Sequence, residues 1–265
     1  MLLVMDAGNS NVTFGVYAGE TLQTHWRIRT EAGRTHDEYA AFLGALFAQS
    51  GLAMADITGI TLASVVPGAT PALARLARQT FGLEPLEITA LSDLGLEVGY
   101  TPPGDVGTDR LVDAAAVVHK YGAPCIVLDF GSATTFNAVT APLTPGGLPV
   151  YLGGAICLGI GLSLETLFAK AAKIPRVELA PPPRAIGNNT VHALQSGIVL
   201  GTLSLADGMI ARFQDEMDAP GCPVVATGGF ASELLFAAST RITHLEPHLT
   251  LDGLRLLWER SLRDS

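Results

Sequence analysis

Charged residues are scarce in this chain. Lysine, arginine, aspartate and glutamate make up 15% of its 265 residues, against about 25% in ordinary soluble domains. The 16 basic residues are outnumbered by 25 acidic ones, so the chain lacks the basic surface that nucleic acids require, and we expect no nucleic-acid partner. Hydrophobic residues make up 48%, which predicts a large core and an apolar surface buried in an oligomer.

Cysteine is also rare, since only three are present and none lies in a C-x-x-C pair. This excludes a disulfide scaffold and a zinc ribbon, and it favours a reducing compartment. No apolar run of about 18 residues is free of charge, so we expect no membrane span. The opening segment Met1–Asp6 turns acidic too soon for a signal peptide. We therefore expect a cytoplasmic protein.

The common nucleotide-binding and hydrolase signatures are missing. A P-loop needs a lysine after glycine to reach the phosphates, and none of the three lysines follows a glycine. The one G-x-G, at Gly159 and Gly161, lacks the third glycine of a dinucleotide-binding fingerprint. There is no G-x-S-x-G and no H-E-x-x-H. Any phosphate or metal site must therefore be built in another way.

The chain contains an internal repeat. Its opening predicts a β-meander with strands over Leu2–Met5, Val12–Tyr17 and Thr24–Arg29. The segment Cys125–Ser132 repeats Leu2–Asn9 at an offset of 123 residues, and both are apolar strands that end in Asp-x-Gly-polar. The sequence therefore predicts an α/β protein with two similar halves, residues 1–118 and 119–265, split near residues 115–123.

Periodicity and turn residues predict the remaining elements. Thr35 and Glu38 have the spacing of a capping box at the start of a helix that ends at Gly51. Another helix begins at residues 108–110 and ends near Gly122. The further predicted strands are 57–66, 86–89, 134–140, 150–156 and 224–226, and the further predicted helices are 69–81, 163–172, 190–217, 231–238 and 251–262.

The two repeated turns are the strongest candidates for chemistry. Glycine-containing turns present backbone N–H groups that can cradle phosphate oxygens. Asp6 and Asp129 would repel phosphate directly, but Mg²⁺ prefers carboxylate and water oxygens and bridges to substrate phosphates. Two such turns around a cleft would bind a metal–nucleotide, and the glycine-rich turn 226–229 would let the backbone pass close to a nucleoside. The alternative is a pair of plain β-turns in which aspartate and glycine tolerate the backbone angles.

Five motifs together resemble a known family, the type III pantothenate kinases. The resemblance runs nearly end to end and in the family's order. The motifs are Asp6-x-Gly8-Asn9-Ser10, Gly107-Thr108-Asp109-Arg110, Asp129-Phe130-Gly131-Ser132-Ala133-Thr134-Thr135-Phe136, Gly153-Gly154-x-Ile156-x-x-Gly159 and Gly187-x-Asn189-Thr190.

The resemblance implies a fold and a reaction. The family belongs to the actin/hexokinase-like phosphotransfer superfamily, so we expect duplicated actin-like (ribonuclease H-like) domains, with mixed sheets opened by a β-meander and flanked by helices. The implied reaction transfers the γ-phosphoryl group of ATP to the primary hydroxyl of pantothenate, the first step of coenzyme A synthesis. The implied cofactors are ATP, Mg²⁺ and a monovalent cation, K⁺ or NH₄⁺. The implied assembly is a homodimer.

The resemblance also assigns roles to residues. Asp109 is the implied general base, and a helix N-terminus is expected to lower its pKa. Arg110 suits the pantothenate carboxylate, because a guanidinium fork matches it. The implied ATP contacts are Asp6, Ala7, Gly8, Asn9, Ser10, Asn11, Val12, Thr13 and Ser132. The implied pantothenate contacts are Tyr100, Gly107, Thr108, Asp109, Arg110 and Thr190. The implied metal ligands are Asp129, for the monovalent cation, and Asp6.

Simpler roles for the same residues stay open, and so do two other functions. Asp109 could be only a helix N-cap, and Arg110 could form only a surface salt bridge. A phosphohydrolase of the same superfamily would use water in place of the hydroxyl. A regulatory actin-like protein would bind nucleotide without kinase activity. The chain departs from the family pattern at Asn137, Leu158 and Asn188. The two asparagines stand where the family has charges of opposite sign, which would form a structural pair.

Overall fold

The chain divides into two α/β units. The computed structural model describes residues 1–170, 175–230 and 233–263. One unit is Met1–Ala116 together with Leu249–Ser265, and the other is Val117–His248. The domain boundary expected at 118/119 stays a prediction. The division shows that the C-terminal segment belongs to the same unit as the N-terminal residues.

The first unit opens with a meander and continues with alternating helices and strands. Two 3₁₀ turns, Met54–Asp56 and Pro103–Asp105, interrupt its connections. A π-helical turn over Ala77–Phe81 extends the second helix. The elements are β1 (Leu2–Ala7), β2 (Asn11–Ala18), β3 (Thr21–Arg29), α1 (His36–Gln49), β4 (Gly59–Ser64), α2 (Thr70–Leu76), β5 (Leu86–Glu87), β6 (Glu97–Val98) and α3 (Thr108–Tyr121).

The first sheet is mixed and has the order β3-β2-β1-β4-β5. β1 is antiparallel to β2 and parallel to β4. Apolar residues of the strands, among them Leu3, Met5 and Phe14, form one buried cluster with residues of α1 and α2 such as Tyr39 and Leu73. Because β1 is central and its side chains are buried on both faces, its sequence is nearly all apolar until Asp6.

The second unit repeats this plan. Its strands lie in the order β11-β10-β7-β8-β9, and its core joins β7 and β10 to helix α6. A π-helical turn over Ser196–Leu200 links two of its helices. The elements are β7 (Cys125–Phe130), β8 (Ala133–Thr140), β9 (Val150–Leu158), α4 (Ile160–Lys170), α5 (Thr190–Gln195), α6 (Gly201–Glu216), β10 (Val224–Thr227), α7 (Glu233–Ala238), β11 (His244–Leu245) and, grouped with the first unit, α8 (Leu249–Arg263).

The duplication predicted from the sequence is confirmed, with one difference. In each unit the first strand pairs antiparallel with the next strand and parallel with a later one. In the first hairpin Asp6 lies opposite Thr13, seven residues later. In the second, Asp129 lies opposite Thr135, six residues later. The second turn is therefore one residue tighter, although both place an aspartate just before the turn.

Helix α8 packs on the first unit through specific contacts. The hydroxyl of Tyr17 on β2 donates a hydrogen bond of 2.6 Å to Oδ1 of Asp252. The indole of Trp258 lies against Gly59 at the start of β4, so closely that a Cβ at that position would overlap the ring. These contacts explain why the last helix groups with the first unit.

Most predicted elements are present with shifted ends. The capping box of α1 is confirmed, with Thr35 and Glu38 each accepting the other's amide N–H. The predicted strand 57–66 is shorter, Gly59–Ser64. The predicted helix 163–172 begins earlier, at Ile160, and residues 171–172 lie outside the described residues, as does 231. The two-residue strands β6 and β11 escaped prediction because they are too short to show a period of two.

One helical stretch, Thr190–Glu216, is long and apolar enough to cross a membrane by length and composition. Of its most apolar window, 22% is buried within the molecule. A single stretch of this kind is weak evidence for a membrane span, because core and interface helices pass the same test. The expectation of no membrane span stays a prediction.

Candidate active site

The first acidic turn lies where β1 ends. It begins after Asp6, which is half-buried, and it exposes Asn9, Ser10 and Asn11. The amide N–H of Gly8 donates to the carbonyl of Asn11 at 3.0 Å and closes the turn. The sheet therefore presents a short stretch of exposed backbone at the carboxyl end of its central strand.

The start of α3 is fastened to the same edge of the first sheet. β4 is parallel to β1, with Ser64 opposite Ala7, so the carboxyl ends of both strands lie together. The hydroxyl of Thr108, the first residue of α3, donates to the carbonyl of Ser64 at 3.1 Å. The structure thus brings the segment 107–110 to the edge that carries the turn after Asp6, although the two are about 100 residues apart.

Asp109 is held closely by its neighbours in the chain. Its Oδ1 accepts the amide N–H of Arg110 at 2.8 Å. A Cβ on Gly107 would come within 2.5 Å of the same oxygen, so a larger residue there would displace the carboxylate. Since α3 begins at Thr108, Asp109 lies inside its first turn and is not the N-cap residue. The simple capping role is therefore wrong.

The pKa of Asp109 is raised, not lowered as the sequence predicted. Burial is the largest cause, because it disfavours the charged carboxylate. The amide N–H and the charge of Arg110, and the amide of Asp109 itself, act in the opposite direction but do not outweigh burial. The expectation of a lowered pKa is therefore wrong, because desolvation by the surrounding elements dominates and cannot be seen in the sequence.

Arg110 lies beside this carboxylate and is itself buried, with only 8% of its surface exposed. Its charge lowers the pKa of Asp109. A guanidinium buried to this extent differs from the exposed surface pair that the sequence left open. The charge of a buried guanidinium interacts more strongly with neighbouring charges than that of an exposed one, because water screens it less.

The second acidic turn has a tighter backbone environment. Asp129 is half-buried at the end of β7, opposite Thr135 on one side and Thr227 on the other. Gly228 follows Thr227 with φ +99°, and a Cβ there would overlap the carboxylate of Asp129. The glycine-rich turn that was expected to approach a nucleoside therefore packs on Asp129. Glycine is required at Gly228 both by its backbone angle and by this contact.

Ser132 is exposed in the second turn. The amide N–H of Gly131 donates to the carbonyl of Ala133 at 3.0 Å. Gly159 packs on the carbonyl oxygen of Ser132, where a side chain would overlap it. Ser132 thus lies in a turn whose backbone is held on two sides.

The two remaining predicted substrate residues, Tyr100 and Thr190, lie in other segments of the chain. Tyr100 is half-buried in the loop after β6, and Thr190 is exposed at the start of α5. Asn189 caps that helix by accepting the amide N–H of His192 at 2.9 Å. The roles of Tyr100 and Thr190 as pantothenate contacts stay predictions.

The two unusual asparagines have separate environments. Asn137 is fully buried, where its Oδ1 accepts the hydroxyl of Tyr151 at 2.9 Å and its Nδ2 donates to Oγ1 of Thr135 at 3.2 Å. Asn188 is exposed, and its Oδ1 accepts Nδ2 of Asn189 at 3.3 Å. These bonds give no support to a lost pair between the two positions. Leu158, the third departure, is exposed at the end of β9.

The donor set fits a metal that arrives with a phosphate ligand. Within residues 1–170, 175–230 and 233–263, no three histidine, cysteine, aspartate or glutamate side chains cluster as a metal site. Mg²⁺ in phosphoryl-transfer sites keeps several waters and needs only one or two carboxylates besides the phosphates. Single carboxylates such as Asp6 and Asp129 fit that requirement.

Two solved structures, one of them a sugar kinase, share the fold of this chain. The ROK hexokinase from Thermus thermophilus aligns with a TM-score of 0.51 at 16% identity, covering 100% of this chain and 99% of that one. The ethanolamine utilization protein EutJ from Carboxydothermus hydrogenoformans aligns with a TM-score of 0.53 at 15% identity, covering 96% and 89%. At such low identity these matches show the fold class alone.

Comparison of sequences gives the family. The family model for type III pantothenate kinases matches residues 2–212. The type III pantothenate kinase of Roseiflexus castenholzii is 45% identical over 259 residues, covering 98% of each chain. The chain belongs to the type III pantothenate kinase family. Membership of a kinase family implies ATP and a divalent metal.

One contact, between Gly228 and Asp129, and one residue, Thr30, were not predicted from the sequence. Gly228 contacts Asp129 only because β10 pairs with β7, and no local pattern reports that pairing. Thr30 contacts the first turn through its hydroxyl. The sequence could have predicted this contact. In a three-stranded meander the third strand ends beside the turn that joins the first two strands, and Thr30 follows the third strand.

The raised pKa of Asp109 predicts a pH dependence of stability. Between the ordinary value of 3.8 and the raised value, the folded state binds more protons than the unfolded state, so the free energy of unfolding falls as the pH rises. The amide side chain of Asp109→Asn does not ionise, so the variant does not share this fall in the free energy of unfolding. We expect the variant to gain stability relative to the wild type as the pH rises from the ordinary value of 3.8 through the raised value.

Urea unfolding at several pH values measures this difference. The variant should be closest to the wild type at the acid end, where both carry a neutral side chain. A wild type that gains stability relative to Asp109→Asn as the pH rises would contradict the raised pKa.

Proposed function

We propose that this member of the type III pantothenate kinase family transfers the γ-phosphoryl group of ATP to the primary hydroxyl of pantothenate, with Asp109 as the general base. The hydroxyl proton passes to the carboxylate of Asp109. The hydroxyl oxygen forms the new bond to the γ-phosphorus, and the bond from that phosphorus to the β–γ bridging oxygen breaks. The products are 4′-phosphopantothenate and ADP.

The raised pKa of Asp109 is the single observation that best supports this role. A carboxylate with an elevated pKa is a stronger base than one at the ordinary value, which suits a group that accepts a proton. Its contacts with Gly107 and with the amide of Arg110 limit its rotation. A fixed acceptor suits phosphoryl transfer, which depends mainly on positioning and on neutralising charge.

The ATP site in this proposal is built from the acidic turns. Residues 6–13 and Ser132 contact the nucleotide. The supporting feature is exposed backbone and hydroxyl groups in turns whose shape is fixed by hydrogen bonds. Backbone N–H groups in such turns bind phosphate oxygens.

The pantothenate site in this proposal uses Arg110 for the carboxylate, with further contacts from Tyr100, Gly107, Thr108 and Thr190. Arg110 is supported by its burial, because a guanidinium with little exposure to water binds a carboxylate more strongly than an exposed one. The assignments of the other four rest on the family resemblance.

Two kinds of cation belong to the proposal. Asp6 would hold Mg²⁺ that arrives with the phosphates, and this metal would supply positive charge at the transferred group. Asp129 is a ligand for K⁺ or NH₄⁺. The close approach of the Gly228 backbone leaves the Asp129 carboxylate little freedom to move, which suits a weakly held cation.

The assembly is proposed as a cytoplasmic homodimer that acts without nucleic acid or membrane. An apolar patch supports it: every second residue of β9 points outward, and among these Leu152, Ile156 and Leu158 are exposed. Ile156 is 67% exposed. Exposed apolar side chains at such density are typical of surfaces that a partner covers, and the family resemblance makes a second copy of the chain that partner.

Asp109→Asn should reduce kcat by about 10²–10⁴-fold, the usual contribution of a general base. The amide keeps the shape of the carboxylate but cannot accept the proton. A coupled assay with ATP, Mg²⁺ and pantothenate measures the effect. Asp105→Asn is the matched control, because Asp105 is an exposed carboxylate just before α3.

Undiminished turnover in Asp109→Asn would remove this mechanism. Phosphate release from ATP without pantothenate would favour the phosphohydrolase. Tight ATP binding with no phosphopantothenate formed would favour the regulatory protein.

The cation role of Asp129 predicts a difference between salts. The wild type should be several-fold faster in KCl than in NaCl, because Na⁺ is smaller and holds its water more tightly. Asp129→Asn should bring the two rates together, since it removes the charge of the site. Asp215→Asn, on the exposed side of α6, should keep the difference. Equal wild-type rates in both salts would contradict the assignment.

The dimer proposal predicts a mass of twice 27.6 kDa by light scattering. Ile156→Glu should shift the protein towards the monomer, because it would bury a charge in the patch. Leu91→Glu should stay dimeric, since Leu91 is 94% exposed in a loop outside it. A monomeric wild type that is still active would refute the proposal.

A further inference from the structure

We propose that Thr30 is a positioning residue for the nucleotide: it fixes the orientation of the turn after Asp6 so that two backbone amides of that turn face the phosphates. This inference rests on the proposed ATP site. It adds a residue that directly follows the third strand, outside every motif that pointed to the function.

Thr30 holds the turn by two bonds. Its hydroxyl donates to the carbonyl of Gly8 at 2.6 Å. Its amide N–H donates to the carbonyl of Ser10 at 3.0 Å. Both bonds exist because β3 pairs with β2, with Arg29 opposite Asn11, so the chain leaving β3 passes directly beside the turn.

The direction of these two carbonyls sets the direction of two amides. In a planar trans peptide the carbonyl and the next residue's N–H point in opposite directions. With the carbonyls of Gly8 and Ser10 turned towards Thr30, the N–H groups of Asn9 and Asn11 point away from it. Within the part of the chain that the structure describes, the amide of Asn9 donates to no other group. Such oriented amides are what a phosphate oxygen needs.

Thr30 is in turn held by the connection to α1. Nη1 of Arg34 donates to the carbonyl of Arg29 at 2.5 Å, and Nη2 of Arg34 pairs with Glu31 at 3.1 Å. The guanidinium lies over the rings of Tyr39 and Phe42, at 5.5 and 5.2 Å from their centroids. The side chain of Arg34 is only 7% exposed. These contacts of Arg34 hold the backbone directly before Thr30 in place.

Thr30→Val tests the proposal, because it removes the hydroxyl while keeping the size and the backbone N–H. We expect KM for ATP and the Kd for Mg–ATP to rise by about fivefold to tenfold, as for one lost hydrogen bond. KM for pantothenate should stay the same. Thr30→Ser should restore both ATP constants to within about twofold, because it restores the donor. Steady-state kinetics and calorimetric titration with Mg–ATP measure these values.

Thr21→Val is the matched control. Thr21 is the exposed first residue of β3, at the end of that strand opposite to Thr30. It should change none of these constants. ATP constants unchanged in Thr30→Val would overturn the proposal. The proposal would also be overturned if Thr30→Val raised the KM for ATP and the KM for pantothenate equally and Thr30→Ser restored neither. Such a result would indicate a general loss of structure. A wild type without pantothenate-dependent turnover would refute the proposed function alone, since the titration with Mg–ATP still decides the role of Thr30.

Discussion

The pairing of two parallel strands, β1 and β4, is the contact on which the candidate site depends. Their carboxyl ends lie together, so that the turn after Asp6 and the carbonyl of Ser64 share one edge of the sheet. Thr108 bonds to that carbonyl and fixes the start of α3 there. If this pairing slipped by one residue, the side chains of β1 would exchange faces and the contact with Thr108 would move.

Glycines close to carboxylates recur in both units. Gly107 leaves room for the carboxylate of Asp109, and Gly228 leaves room for that of Asp129. In each case a methyl group would meet a carboxylate oxygen. The carboxylates are thereby confined by backbone, which moves less than side chains do, and their positions are set before any ligand binds. Such preorganisation costs no rearrangement when the reaction occurs.

Much of the fold could be predicted from the sequence, because the determining signals are local or repeated. The acid-glycine turns follow from the match of residues 125–132 to residues 2–9, and the capping box of Thr35 and Glu38 follows from spacing alone. The direction of the pKa shift of Asp109 could not be predicted, since it depends on how much water the surrounding elements remove. The contact between Gly228 and Asp129 was equally hidden, because it requires knowing that β10 lies beside β7.

The sequence by itself determined the duplicated α/β plan, the family and the residue types offered for catalysis, since periodicity, turn chemistry and motif order are written along the chain. Only the tertiary structure decided which of those residues share an edge of a sheet, that α8 packs with the first unit, and that Gly228 packs on the carboxylate of Asp129. Those features arise from contacts between distant segments. Such contacts form only when the core brings the strands together, so no local pattern encodes them.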